Sequence, residues 1–374
     1  MTLEHDFPSF RDYLATTQQQ LSLSSMSRPG LADELLIKAN SPFEWTPQHT
    51  APQQYTKNGA LLVHGLLDSP YSMRHIGQLL LEQGFLVRSV LLPGHGTTPH
   101  DLLSVTHKDW IKTVNYGVKS LQHEVENIYL IGFSAGATLS LMHAHSPKVK
   151  GIILLAPAIK LRSKAARYTK VLSKLRHFSH QLAWYEWLEE QDYAKYRSIP
   201  FHLAYQAYAL STYNKQLLKK FHLTCPLFVA ISEDDETVCF NAAKTLFLGH
   251  QHPNSQMITY CKSAKYKIDD DRVIVRSSSY PEQNVIDYSH VCIPIAPQDP
   301  HYGVNGDYQP PLYLPKNLKN ASSSKLNIQQ GALSKTNLAN YPLRRLTYNP
   351  DYPFLAQQIK EFILKTQSDS YKKA

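Results

Sequence analysis

Ile128-Tyr129-Leu130-Ile131-Gly132-Phe133-Ser134-Ala135-Gly136 is the stretch whose reading decides the fold. The apolar run at 128–131 reads as a buried strand and the residues from 135 onward as a helix, which leaves Gly-Phe-Ser-Ala-Gly on a sharp strand-to-helix turn. A serine on such a turn needs small neighbours, because the backbone is strained and must come close to a substrate. Gly132, Ala135 and Gly136 meet that need. The helix start also aims backbone N–H groups at a point where negative charge can develop. The five-residue pattern alone is common; its place between strand and helix makes it specific.

Outward from this turn, apolar runs at 60–63, 86–91, 127–131, 151–155, 226–231 and 256–260 alternate with helix-like stretches at 71–83, 108–125, 135–144, 241–249 and 352–366. Parallel strands need crossover helices, so the pattern predicts a layered α/β fold with a mostly parallel sheet. Two departures break the rhythm. Residues 157–225 carry no strand signal and are too long for a normal connection, which predicts a helical cap. Residues 262–345 mix a short strand-like run at 273–276 with Pro, Asn and Ser clusters and read as surface insertions. The organisation expected is a helical and extended arm over 1–50, a core over 51–156 and 226–374 with irregular insertions at about 262–283 and 303–345, and the cap at 157–225.

The composition agrees with a globular chain. Of 374 residues 43% are hydrophobic and 18% charged, which excludes a disordered or collagen-like protein. No uncharged apolar run approaches the roughly 18 residues that span a bilayer. The first thirty residues include Glu4, Asp6, Arg11 and Asp12 and lack a basic segment followed by an apolar one, so signal-peptide secretion is not expected. Cys225, Cys239, Cys261 and Cys292 show neither a CxxC spacing nor disulfide-scaffold density and read as reduced thiols of a cytoplasmic protein. The formal charge of +9 favours anionic surfaces without naming one.

A lone serine hydroxyl is a poor nucleophile and needs a base and an orienting acid. Ser232-Glu233-Asp234-Asp235-Glu236-Thr237-Val238 follows the run at 227–231, so its carboxylates lie at the carboxyl end of a strand. Asp235 is the preferred acid, since Val238 can pack inward and fix the loop; Asp234 and Glu233 are the alternatives. His290, in Asp287-Tyr288-Ser289-His290-Val291, completes the order Ser, Asp, His, with His301 as its rival. His250 and His252 precede the last apolar run and are poorly placed.

Together these residues resemble the α/β-hydrolase fold, in its capped esterase and lipase branch, close to monoacylglycerol lipases and carboxylesterases. Leu62-Val63-His64-Gly65-Leu66-Leu67-Asp68-Ser69-Pro70 resembles the family's HG loop, Leu92-Pro93-Gly94-His95-Gly96 the loop after the next strand, and Asp109-Trp110 the helix beyond it. The likeness covers about residues 60–160. It implies a catalytic triad of Ser134, His290 and Asp235, with the Leu66 and Ala135 N–H groups as the oxyanion hole and no cofactor. The 55 residues between Asp235 and His290 are about twice the usual spacing, so an insertion must fold away without disturbing the histidine.

Other features carry less. His143 and His145, two apart on a helix, face different sides, no HExxH occurs, and Asp269-Asp270-Asp271 lacks the spacing of a calcium loop, so no metal site is expected. No RNP, zinc-finger or helix-turn-helix signature accompanies the charge, and nucleic-acid binding is not expected. Within the cap, Lys160, Arg162, Lys164, Arg167, Lys170, Lys174 and Arg176 precede Phe178, Trp184, Tyr185, Trp187, Tyr193 and Tyr196. This adjacency suits a lipid ester, with Trp184 and Trp187 against its acyl chain, or docking on an anionic membrane; a solvated face over cap core accounts for it equally well. The function expected is ester hydrolysis through an acyl-enzyme. A thioesterase or serine aminopeptidase would use the same constellation, and a catalytically silent binding protein would retain the fold without needing the strained serine.

Overall fold

The computed structural model describes residues 7–24, 32–48, 57–163, 168–174, 181–263, 267–318 and 326–372. The chain forms two compact units, residues 1–226 and 227–374.

The first unit begins with helices α1 (Phe10–Leu23) and α2 (Asp33–Asn40) and the two-residue strand β1 (Glu44–Trp45). There follow β2 (Asn58–Val63), α3 (Arg74–Glu82), β3 (Leu86–Val90), α4 (His107–Gln122), β4 (Asn127–Phe133), α5 (Ala135–Leu141) and β5 (Val149–Leu155). The strands lie in the order β1-β3-β2-β4-β5, all parallel except β1, which runs antiparallel to β3. Every residue of β3 and β4 is buried, as in a sheet covered on both faces, which is why these strands read as near-continuous apolar runs. The start of α4 is fixed by the Asp109 carboxylate, which accepts the Thr106 N–H and hydroxyl at 2.9 and 2.8 Å. Its neighbour Trp110 is fully buried and donates its indole N–H to the Pro93 carbonyl at 3.1 Å.

The amino-terminal arm carries more structure than one helix and an extended segment. Phe10, Tyr13, Thr17 and Leu21 bury one face of α1, and the Tyr13 hydroxyl accepts the Leu91 N–H at 2.9 Å. The strand β1 reaches the sheet edge because Arg88 on β3, only 2% exposed, donates to Glu44 at 2.6 Å. The same guanidinium also meets Glu124 at 2.7 Å and the Ser120 carbonyl at 2.8 Å, and stacks over the Phe10 ring.

Over 157–225 the structure has α6 (Thr169–Leu172), an antiparallel pair of β6 (Trp184–Glu186) with β7 (Ile199–Pro200), and the twenty-residue α7 (Phe201–Lys220). The described part of this stretch thus holds one long helix, one short helix and the β6/β7 pair, which the sequence pattern does not signal. Polar bonds seat α7, since Gln206 accepts the His107 N–H at 3.1 Å and the His202 ring meets the Val105 carbonyl at 2.8 Å. Lys164, Arg167, Arg176 and Phe178 lie outside the described residues.

In the second unit β8 (Leu227–Ser232), α8 (Phe240–Gly249), β9 (Gln256–Cys261) and β10 (Val273–Ser277) are followed by β11 (Gln329–Gly331), α9 (Lys335–Asn340), β12 (Leu343–Arg345) and α10 (Tyr352–Lys372). The strands β8, β9 and β10 are parallel neighbours. The run at 273–277 is therefore a sheet strand and not a surface excursion. Its residues are half-buried or exposed, as at a sheet edge, so it lacks the apolar density that marks its neighbours. A small parallel pair, β11 with β12, organises part of the later insertion. Among the described residues, no helix is long and apolar enough to cross a membrane.

Arg88 joins three elements of the first unit through one fork of donors, which an ammonium cannot reproduce. Arg88→Lys and Arg88→Ala should both lower unfolding free energy, by about 1–3 kcal/mol in urea titration. Both should also speed proteolytic release of the amino-terminal arm. An Arg88→Lys protein as stable as the parent would contradict this role.

Candidate active site

The residues of the first unit singled out in the sequence, Ser134, Ala135 and Leu66, lie at the carboxyl ends of its strands, where open α/β sheets place ligands. Ser134 follows β4 with φ 55° and ψ −116°, a conformation that L-residues rarely adopt. Three backbone bonds hold it: its N–H donates to the Leu155 carbonyl at 2.9 Å, and its carbonyl accepts the Thr138 and Ala158 N–H groups at 3.3 and 3.1 Å. The flanking glycines are obligatory. A Cβ on Gly132 would lie 2.4 Å from the Ala137 backbone, and one on Gly136 would lie 2.1 Å from the Val63 carbonyl oxygen. Ala135, the second proposed oxyanion donor, is the first residue of α5, where a helix leaves N–H groups without intrahelical partners.

Val63 lies opposite Gly132 in the sheet, so the 64–67 loop leaves beside the serine turn. A Cβ on Gly65 would lie 3.1 Å from that of Ser134. Two histidines shape the loop as hydrogen-bond acceptors. The His64 Nε2 accepts the Leu92 N–H at 3.0 Å while its Nδ1 meets the Gly65 carbonyl at 2.7 Å. The His95 Nε2 accepts the Leu67 N–H at 3.0 Å while its Nδ1 faces the Leu92 and Pro93 carbonyls at 3.1 and 3.2 Å. Each pattern requires a neutral ring with its proton on Nδ1. Burial lowers His64 to about 4 and His95 to about 3; for His95 the neighbouring His64 adds to the effect.

Residues 192–196 close over the same loop, which the sequence reading did not anticipate. The Tyr196 N–H donates to the Leu67 carbonyl at 2.8 Å, and its hydroxyl accepts the Thr97 N–H at 2.7 Å. Lys195 lies 3.5 Å from the buried Asp68, which also accepts the Ser72 hydroxyl at 2.6 Å. With Leu67 at φ 62° and both its peptide groups engaged, the preceding Leu66 has little freedom. Tyr193 and Tyr196 are thus buried structural residues. Trp184 and Trp187, grouped with them in the sequence, instead contact each other at 4.6 Å between ring centroids and His100 at 5.3 and 5.1 Å, and Trp187 is 55% exposed.

The second unit carries the acid and base candidates. Asp235, 1% exposed, accepts the Thr237 and Val238 N–H groups at 2.8 Å through Oδ1 and lies 2.7 Å from the His290 Nδ1 through Oδ2. Asp234 turns elsewhere: it accepts the Ser278 hydroxyl at 2.8 Å and lies 3.8 Å from Lys262, with burial raising it to about 6. His301 pairs locally with Asp307, six residues on. Both histidines therefore have a carboxylate, but the Asp235 side chain is 1% exposed and that of Asp307 is 67% exposed. Among the described residues no group of three or more His, Cys, Asp or Glu gathers to hold a metal.

A profile of the serine aminopeptidase S33 family matches residues 55–264, more than half of the chain. The chain belongs to this family. Its fold is the α/β-hydrolase fold. It is 28% identical to a thermostable monoacylglycerol lipase of Bacillus sp. (strain H-257) over 233 residues, 60% of this chain and 92% of that one. Over 132 residues it is 30% identical to a carboxylesterase of Bacillus subtilis (strain 168), spanning 34% of this chain and 54% of that relative. A crystal structure of a Paleococcus ferrophilus monoacylglycerol lipase aligns with a TM-score of 0.46 at 15% identity, over 59% of this chain and 88% of that one.

The neutral histidines set a pH dependence for this S33-family chain. Both have folded pKa values below the unfolded imidazole's 6.5, so stability is fully present above about pH 6.5 and is lost as pH falls toward 4. By pH 4 each contributes about 3 kcal/mol to the loss. Tm should fall over that window, and His95→Gln, which keeps a neutral acceptor for Leu67, should flatten the slope. A Tm unchanged from pH 7 to 4 would contradict the acceptor roles.

Proposed function

We propose that this protein is a serine hydrolase of carboxylic esters, with acyl esters of monoacylglycerol or lysophospholipid type as the substrate class. Ser134 Oγ attacks the ester carbonyl as the His290 Nε2 takes its proton, and Asp235 holds the imidazole through Nδ1. The Leu66 and Ala135 N–H groups stabilise the oxyanion, the alcohol leaves with the proton from His290, and water then releases the acid from the acyl-enzyme. The strained serine carries this reading, because a binding protein has no use for a costly backbone conformation beneath a small hydroxyl. The names of the two Bacillus relatives support the ester class. The family's own description keeps a second reading in view, hydrolysis of an amino-terminal peptide bond by the same residues.

An ester panel separates the two. p-Nitrophenyl esters of increasing acyl length should be cleaved, and aminoacyl arylamides and acyl thioesters cleaved far more slowly. Ser134→Ala and His290→Ala should each lower kcat by several orders of magnitude, with Asp235→Asn costing less, while His301→Ala should retain most of the activity. Trp184→Ala should cost more in kcat/KM for long than for acetyl esters if its ring covers the chain, at about 0.8 kcal/mol per buried CH₂. Arylamide cleavage exceeding ester cleavage would overturn the ester assignment.

The cap supports a further part of the proposal, contact with an anionic membrane surface. Tyr168, Val171, Leu172, Leu182, Tyr185 and Trp187 are all exposed, and Lys160, Arg162, Lys170 and Lys174 stand exposed near them in the chain. Burial of the apolar set and attraction of the basic set act together at a charged bilayer. The four cysteines, all free thiols, suit a reducing compartment, and we place the protein in the cytoplasm. Binding to phosphatidylglycerol vesicles should weaken as salt rises through 0.1 M, where the Debye length is about 10 Å. Equal binding to neutral and anionic vesicles would remove the basic residues from this role.

A further inference from the structure

The acidic run after β8 distributes its carboxylates among separate partners. Asp234 goes to Ser278 and Lys262 and Asp235 to the His290 ring, while Glu236 meets the same histidine at its backbone. The Glu236 Oε2 accepts the His290 N–H at 3.0 Å, and its Oε1 lies 2.5 Å from the Arg345 guanidinium. His290 opens a short 3₁₀ turn, His290–Cys292, whose first N–H has no partner within the turn. Ser289, in the capping position, donates its hydroxyl to the Leu346 carbonyl at 2.6 Å. The Glu236 carboxylate fills the vacancy.

We propose that Glu236 is a positioning residue for His290, held in place by Arg345, so that the acid loop grips the histidine at ring and backbone together. The inference rests on the reading of His290 as the base. Because Asp235 and Glu236 are adjacent, the ring and the peptide of His290 move with one loop, and the 2.7 Å contact cannot drift while the second grip persists. Arg345 closes β12, inside the insertion that separates His290 from the final helix. The insertion also braces the segment that leads into His290: Asp287 accepts the Ala332 N–H and the Asn337 amide at 2.7 Å, and the Ile286 N–H donates to the Gln330 carbonyl at 2.9 Å. The added chain thus supports the histidine.

The test compares Glu236→Ala, Glu236→Gln, Arg345→Ala and the double variant Glu236→Ala/Arg345→Ala, with His290→Ala as reference, on a short-chain p-nitrophenyl ester. Displacing a base by a fraction of an ångström predicts a kcat loss of about tenfold to a hundredfold for Glu236→Ala, with KM changed by no more than about twofold. Glu236→Gln, whose amide oxygen still accepts the His290 N–H but whose amide nitrogen cannot accept from Arg345, should recover kcat to about the level of Arg345→Ala. Arg345→Ala should fall between Glu236→Ala and the parent, and the double variant should be no worse than Glu236→Ala. The low-field ring N–H proton resonance that disappears in His290→Ala should broaden in Glu236→Ala and stay sharp in Glu236→Gln. If Glu236→Ala keeps the parental kcat, or if Glu236→Gln falls as far as Glu236→Ala, the positioning role is wrong and the triad stands. If His290→Ala hydrolyses at the parental rate, the triad reading fails and this inference with it.

Discussion

The backbone of Ser134 occupies a region that costs an L-residue about 1–3 kcal/mol, and the end of the sheet around it is shaped to hold that conformation. β5 supplies the Leu155 carbonyl and the segment just beyond it the Ala158 N–H that pin the serine peptide, and α5 must begin at once behind it. The neighbouring chain passes so near that Gly132 and Gly136 tolerate no side chain. Close-packed backbone at these points keeps the turn from relaxing into ordinary helix geometry. The serine hydroxyl is left at the head of α5, beside the Ala135 N–H.

The 64–67 loop follows the same logic with different chemistry. Its backbone is held by two buried imidazoles, each kept neutral because burial disfavours the cation, and each accepting an N–H that a protonated ring could not. Lys195 and Tyr196 add a clasp from the segment after β5, so the loop proposed to bind the oxyanion is tied on both sides. A change of charge at either histidine would be felt in the backbone itself. In the second unit, Asp235 and Glu236 meet His290 at ring and peptide in a comparable two-point arrangement.

Strands β2 to β5 were legible because burial on both faces writes them as apolar runs, and the serine turn because its glycines are forced by contact. The place of Asp235 after β8 and the packing of Val238, which is fully buried, were legible in the chain; the 2.7 Å approach of Asp235 to the His290 ring was not. The histidine acceptors were half visible: the HG loop and the glycine loop around His95 marked the place but not the ring roles. Long-range side-chain partners leave no local mark, and Asn40 bonds the Tyr193 carbonyl across 153 positions while Tyr196 meets Thr97 across 99. The edge strand β10 escaped for another reason. Among the described residues its outer side has no partner strand, so its residues remain half exposed and resemble a polar loop interrupted by Val273, Ile274 and Val275.

The proposed reaction requires that Ser134 become covalently acylated. Rapid mixing with a p-nitrophenyl ester followed by acid quench and peptide mass mapping tests it most directly. A burst of about one equivalent of nitrophenol per protein is expected, with the acyl mass on the peptide that contains Ser134 and no adduct in Ser134→Ala. Turnover without a burst or adduct under a fluorophosphonate trap, or an adduct on another residue that persists in Ser134→Ala, would contradict it.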